Sequence, residues 1–174
     1  MQSHDAWLAI LNPASGHARA GAVWPAVERE LARAGIGFDV ELTSRPNEGE
    51  SIAREAARVG RRRILVVGGD GSVHDVVNGI MDAGLDPDDK VTLAVAPDGT
   101  GNDWARSLGI DRNSRAVSEA IVAGSTLLHD VGVIDFPQSP QPARRCFINV
   151  AGAGYAAHVI DRLPRRVPSA FAYF

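Results

Sequence analysis

Ile64-Leu65-Val66-Val67-Gly68-Gly69-Asp70-Gly71-Ser72-Val73-His74-Asp75-Val76-Val77 is the stretch that decides the fold. Its first four residues are an unbroken apolar run, as a strand buried on both faces requires. Val73, Val76, Val77 and Ile80 then recur at helical spacing. Between the two patterns, Gly68, Gly69 and Gly71 break the strand and turn the chain straight into the helix. A buried strand feeding a helix through a glycine turn predicts an α/β protein with a parallel sheet.

The flanking sequence repeats the alternation. Trp7 to Leu11 reads as a buried strand, and Asn12-Pro13-Ala14-Ser15-Gly16 ends it. Val23, Val27 and Leu31 mark a helix in whose first turn Pro25 would cost least. Phe38 to Leu42 alternates like a strand. Asn47-Glu48-Gly49-Glu50 reads as an N-cap followed by acidic residues, opening a helix with Ile52, Ala56 and Val59 on one face. Arg61 to Arg63 reads as a solvated helix–strand junction. Val91 to Ala96 is a further strand, and Ser114 to Gly124 a helix with Val117 and Ile121 inward. After Leu127 the character becomes strand-like, at Val131 to Phe136 and Phe147 to Val150, around the Pro-rich loop PQSPQP at 137–142. The apolar run Ala170 to Phe174 predicts a chain that continues, so that 129–174 is the start of a second, β-rich domain after an α/β domain at 1–128. An open sheet edge there would favour a homo-oligomer.

Composition narrows the function. The 174 residues are 45% hydrophobic and 22% charged, which excludes a disordered chain. A net charge of -3 gives no support to a nucleic-acid partner. Cys146 is the one cysteine, so neither a disulfide nor a cysteine metal cage can form within the chain. Lys90 is the one lysine, so no lysine-bearing phosphate loop exists. No apolar stretch is long enough to span a bilayer, and Met1 to Asp5 carries no secretion pattern; a cytoplasmic protein is expected.

Three loops follow predicted strands and combine glycine with small polar residues. Gly68 to Ser72 presents backbone amides with no Cβ in the way, at a helix N-terminus that favours an anion. Ser72 and Asp75 form an S-x-x-D capping pattern. Asp70 beside a phosphate would need a metal ion between them, or would accept a substrate proton. Read alone, this loop is equally a tight turn. The second is Pro97-Asp98-Gly99-Thr100-Gly101-Asn102-Asp103, ahead of Trp104-Ala105-Arg106. Thr100 and Asn102 can hydrogen-bond a ribose, base or phosphate, whereas Asp103 also suits a helix start. Two such loops after parallel strands share the carboxyl edge where α/β proteins bind ligands, which favours a nucleotide site. The third, Asn12 to Gly16, offers Ser15 and the Gly16 amide, though by itself it is a turn. The Walker pattern and the G-x-G-x-x-G fingerprint are both absent.

Other residues point less far. His4, His17, His74, His129 and His158 have no metal spacing, and His74 is expected at the surface. Trp7 and Trp24 read as core, and Cys146 as a small packed hydrophobe. Arg162, Arg165 and Arg166 with Leu163 and Val167 form a solvated segment or a peripheral membrane-contact patch.

Asn12-Pro13-x-Ser15-Gly16, Gly68-Gly69-Asp70-Gly71-Ser72 with Asn78-Gly79, and Pro97-x-Gly99-Thr100-Gly101-Asn102-Asp103-Trp104-Ala105-Arg106 together resemble the diacylglycerol kinase catalytic domain family, in its motif order and over most of the chain. That group includes bacterial lipid kinases and sphingosine and ceramide kinases, and is more distantly similar to NAD kinases. Asp130-Val131-Gly132 and Phe147-x-Asn149-x-x-Gly152-x-Gly154 resemble the family's passage into its second domain. The resemblance implies a Rossmann-like three-layer α/β/α domain followed by a β-sandwich-like one. It implies transfer of the ATP γ-phosphate, with Mg2+, to a lipid hydroxyl, diacylglycerol first, with a sphingoid base or NAD as alternative acceptors. It implies phosphate binding by Gly68, Gly69, Gly71 and Ser72. Asp70 is the implied catalytic acid and metal contact. Asn12, Ser15, Gly16, Gly99, Thr100, Gly101, Asn102 and Asp103 are the implied nucleotide-pocket residues. Ser72 replaces the family's usual Thr, and Trp104 a common Phe. The family's later acidic D-G-E-like motif has no counterpart in these residues, so an ATP-binding module that is catalytically incomplete is the other expectation.

Overall fold

The computed structural model describes residues 6–15, 20–110, 113–137, 144–155, 158 and 162. Four parallel strands form the main sheet in the order β2-β1-β3-β4: β1 Trp7–Leu11, β2 Phe38–Leu42, β3 Arg63–Gly68 and β4 Thr92–Pro97. Helices α1 Ala20–Arg33, α2 Glu48–Arg58, α3 Asp70–Met81, α4 Asp103–Ser107 and α5 Ser114–Ala123 surround it. A separate antiparallel pair, β5 Gly132–Asp135 and β6 Arg144–Phe147, follows.

Strand periodicity sorts the core into two layers. Leu8, Ile10, Ile64 and Val66 pack with Ala53 and Ala56 of α2, Val73, Val76 and Val77 of α3, and Cys146 of β6. Trp7, Ala9, Leu11, Leu65 and Val67 point the other way, onto Val27 and Leu31 of α1 and Val117 of α5. The expected three-layer α/β/α arrangement is therefore present, with β1 and β3 covered on both faces. β2 is an edge strand and mostly exposed, which explains its Asp39 and Glu41. Its Phe38 ring meets Trp24 of α1 edge-on at 5.5 Å.

Four local expectations change. α1 begins at Ala20, so Pro25 falls in its second turn, and burial of Val27 and Leu31 holds the helix across it. The arginine run is not uniformly solvated. Arg61 is 4% exposed, pairs with Asp39 at 2.6 Å and reaches the Trp7 carbonyl, because it sits beneath the amino ends of β1 and β2. Val59 is exposed, and α2 instead buries Ala53, Ala56 and Ala57. Among the described residues the last strand is Arg144–Phe147 rather than 147–150. Its register is fixed by the Phe147 ring lying over Gly132, where any Cβ would stand 2.2 Å from the ring. Gly16, Arg165 and Arg166 lie outside the described residues. Among the described residues no helix is long and apolar enough to cross a membrane.

Candidate functional site

The chain moves from β1 to β2 on one side of the sheet, and from β3 to β4 on the other. This order opens a crevice between the carboxyl ends of β1 and β3, the place where such sheets take ligands. All three sequence-predicted loops meet at this rim.

Asn12 closes β1, its N–H donating to the Val67 carbonyl at 3.1 Å. Its side-chain Nδ2 donates to Ser72 Oγ at 2.9 Å, and its Oδ1 accepts the Ala14 N–H at 3.0 Å. One amide thus shapes its own turn and ties it to α3. The Ser15 hydroxyl beside it is buried with no hydrogen-bond partner among the described residues.

Gly68, Gly69 and Gly99, in the first two loops, are demanded by close approach. A Cβ at Gly68 would stand 2.5 Å from Ser72 Oγ. A Cβ at Gly69 would stand 2.8 Å from the Gly99 Cα, and one at Gly99 2.5 Å from the Gly69 Cα. The two loops therefore touch main chain to main chain. The Asp98 N–H donates to the Gly68 carbonyl at 3.0 Å, extending the β3–β4 ladder to the rim. Gly71 is different: nothing lies within 4 Å of its would-be Cβ. α3 begins at Asp70 with an extended Gly69 as N-cap and no side-chain cap. The expected Ser72–Asp75 capping box is thus absent. Glycine extends the helix three residues further back than the S-x-x-D pattern implies, and Ser72 bonds Asn12 instead. The first-turn amides of α3 are left without a side-chain acceptor at the open face, the arrangement that binds phosphate oxygens.

The second loop is held from within. Asn102 is buried in the left-handed conformation at φ 53°. Its Oδ1 accepts the Gly99 N–H at 2.8 Å, and its Nδ2 donates to the Gly99 carbonyl at 2.9 Å. Asn102 therefore shapes the loop that carries Gly99, and its amide is committed there. Thr100 is exposed at the loop tip. Asp70 Oδ1 accepts the Trp104 N–H at 3.1 Å, capping α4 from the neighbouring loop. Asp70 Oδ2 and Asp103 Oδ2 flank Gly101, at 3.1 and 3.6 Å from its would-be Cβ. Asp103 Oδ1 pairs with Arg106.

Several supporting residues escaped the sequence reading. The Trp104 indole, 4% exposed overall, donates to His129 Nε2 at 3.2 Å. An indole can only donate, so the His129 proton sits on Nδ1 and goes to the Asp130 carbonyl at 2.8 Å. A Cβ at Gly79 would stand 2.1 Å from the Glu50 carbonyl, so α2 and α3 touch there. Asn78-Gly79, a polar and a bare residue two turns into an apolar helix, is the signal that marks this contact. Burial pushes the Asp75 carboxyl above its ordinary range, with Glu50 adding to the effect and His74 and Arg145 opposing it. His74 is exposed, and Cys146 is buried with its thiol pushed up by that burial.

Comparison with known proteins agrees with this geometry. Residues 6–134 match the family described as the diacylglycerol kinase catalytic domain. A diacylglycerol kinase of Bacillus subtilis is 30% identical over 159 residues, covering 91% of this chain and 48% of that protein. One of Staphylococcus haemolyticus is 30% identical over 168 residues, covering 95% and 47%. A solved diacylglycerol kinase from Bacillus anthracis superposes with a TM-score of 0.63 at 25% identity, over 74% of this chain and 44% of that one. The chain thus spans about half the length of the curated relatives it matches. The match covers every loop that meets at the β1–β3 rim, and the chain belongs to the diacylglycerol kinase catalytic domain family.

Proposed function

We propose that these residues form the nucleotide-binding part of an ATP-dependent lipid kinase, with diacylglycerol as the first candidate acceptor. The observation that carries this reading is the Gly69–Gly99 contact, which seats two bare loops side by side under the uncapped first turn of α3. Gly68, Gly69, Gly71 and Ser72 would cradle the phosphates, with Asn12 and Ser15 on one flank and Gly99, Thr100 and Gly101 on the other. Residues 129–174 would begin a second domain that carries much of the acceptor site.

Transfer would proceed by in-line displacement. The lipid hydroxyl oxygen bonds to the γ-phosphorus, the bond from that phosphorus to the β–γ bridging oxygen breaks, and ADP leaves. The hydroxyl proton passes to a base, a role that Asp70 Oδ2, the oxygen not committed to Trp104, would take where it holds no metal. The two carboxylate oxygens around Gly101 also suit Mg2+, which takes one or two carboxylates plus phosphate oxygens and water. Asp70 and Asp103 would hold it, and it would supply neutralisation of phosphate charge. The chain's own residues do the rest by positioning and by backbone donors.

Calorimetry with Mg-ATP tests the site: the wild type binds and Gly69→Asp does not, because its Cβ collides with Gly99 and breaks the loop contact that forms the cradle. Equal affinity in the two proteins overturns the proposal. Radiolabelled ATP with diacylglycerol, a sphingoid base and NAD then identifies the acceptor. Binding without turnover on any of them favours the alternative reading, a catalytically incomplete ATP-binding module.

A further inference from the structure

Asn78 is 5% exposed and lies two turns along α3 from the glycine loop. Its Oδ1 accepts the Cys146 N–H at 2.9 Å, and its Nδ2 donates to the Cys146 carbonyl at 3.0 Å and to the His74 carbonyl at 2.9 Å. An amide that gives to and takes from one residue's main chain imitates a rung of a β-ladder. Cys146 already pairs with Val133 of β5, so Asn78 satisfies the other edge of β6. Next to it, Arg145 Nη1 reaches Glu50 Oε2 of α2 at 2.7 Å. The far end of the same helix is tied into the rim by Asn12–Ser72 and Asp70–Trp104.

We propose that Asn78 is a positioning residue, a latch that docks the two-stranded sheet on the helix whose first turn forms the glycine cradle, so that sheet docking and cradle occupation are coupled. The latch stands on the geometry alone, whereas the coupling rests on the nucleotide reading above. α3 is a short rigid element bonded at both ends, so a ligand that fixes its first turn also restrains its contact with β6. Linkage makes the effect mutual: the factor by which the latch strengthens the ligand is the factor by which the ligand closes the latch. Opening the latch exposes two buried main-chain groups of Cys146 and lifts its side chain off the α2–α3 layer, while the four-stranded sheet keeps its pairing, so it is a local event.

The single cysteine reports the latch directly, since Cys146 is 6% exposed while β6 is docked. Labelling with an aromatic disulfide reagent is followed in wild type, Asn78→Ala and Glu50→Gln, with and without a non-hydrolysable Mg-ATP analogue. Without nucleotide, Asn78→Ala raises the labelling rate about tenfold, because it strands both groups. Glu50→Gln, which loosens a partly exposed ion pair, raises it less than about threefold. The analogue slows labelling of the wild type at least about twofold and leaves Asn78→Ala unchanged. Equal rates in wild type and Asn78→Ala overturn the latch. Equal rates with and without analogue, in samples where calorimetry shows it bound, overturn the coupling. Absence of bound analogue overturns the nucleotide reading and the coupling with it, and the nucleotide-free rates still decide the latch. If Asn78→Ala does not melt cooperatively, hydrogen exchange in the wild type decides instead. The Cys146 amide then exchanges far more slowly than amides of exposed loops, though faster than that of Val66, and exchange at the rate of exposed loops overturns the latch.

Discussion

The Asp70 carboxylate accepts the main-chain N–H of Trp104 at 3.1 Å, although the two residues lie in the first turns of different helices at the rim. One acid therefore serves two purposes: Oδ1 caps α4, and Oδ2 stands beside Gly101 facing the proposed phosphate site. Asp70→Asn keeps an oxygen for Trp104 and should change the urea midpoint little. Asp70→Ala removes the cap and should cost about 1 kcal/mol. Phosphoryl transfer should fall steeply in both, so a stability difference between two equally inactive proteins separates the capping role from the chemical one.

Two glycines with opposite surroundings give a paired test of the cradle. At Gly99 a methyl group would collide with Gly69, so Gly99→Ala should lower stability by about 1–3 kcal/mol and weaken ATP binding. At Gly71 there is space for a Cβ and φ is not positive. Gly71→Ala should hold or raise the melting temperature, by about 0.4–1 kcal/mol of chain entropy, while ATP affinity falls because the methyl faces the phosphates. Thermal melts and calorimetry on the same samples check both arms.

The raised Asp75 carboxyl fixes the sign of a pH effect. The folded state holds this proton more tightly than the unfolded chain, so stability falls as pH climbs from the unfolded toward the folded value. Asp75→Asn removes that loss. It should stabilise the protein near neutral pH and make no difference below about pH 3, where both states are protonated. Denaturant melts at the two pH values read the prediction.

Arg61 is an arginine that the fold needs. Arg61→Ala loses the Asp39 pair, the Trp7 carbonyl contact and a buried stem, and should cost about 1–3 kcal/mol. Arg33→Ala, at an exposed i,i+3 pair, should cost less than about 0.5 kcal/mol. Urea midpoints of the two variants make the comparison.

The layers were legible in the sequence because β1 and β3 are covered on both faces and so read as unbroken apolar runs. The two core layers follow from period-two alternation along those runs. What sequence could not show is contact between distant residues. Three adjacent arginines look alike until β1 and β2 come to lie over the first. Ser72 looks like a helix cap until an extended Gly69 starts the helix three residues earlier. Asn102 looks like a ligand contact, yet its amide is spent on Gly99, while Asp70 acts partly on a helix 34 residues away. The glycines themselves were visible, but the reason for Gly69 and Gly99 is each other, and no local pattern encodes that.

The most direct test of the glycine cradle is an amide-resolved nuclear magnetic resonance titration with Mg-bound non-hydrolysable ATP. The account predicts the largest shifts at Gly69, Gly71, Ser72 and Gly99 to Gly101. Unmoved signals there, with shifts instead along the charged groove between α1 and α5 at Arg33 and Arg115, would contradict it.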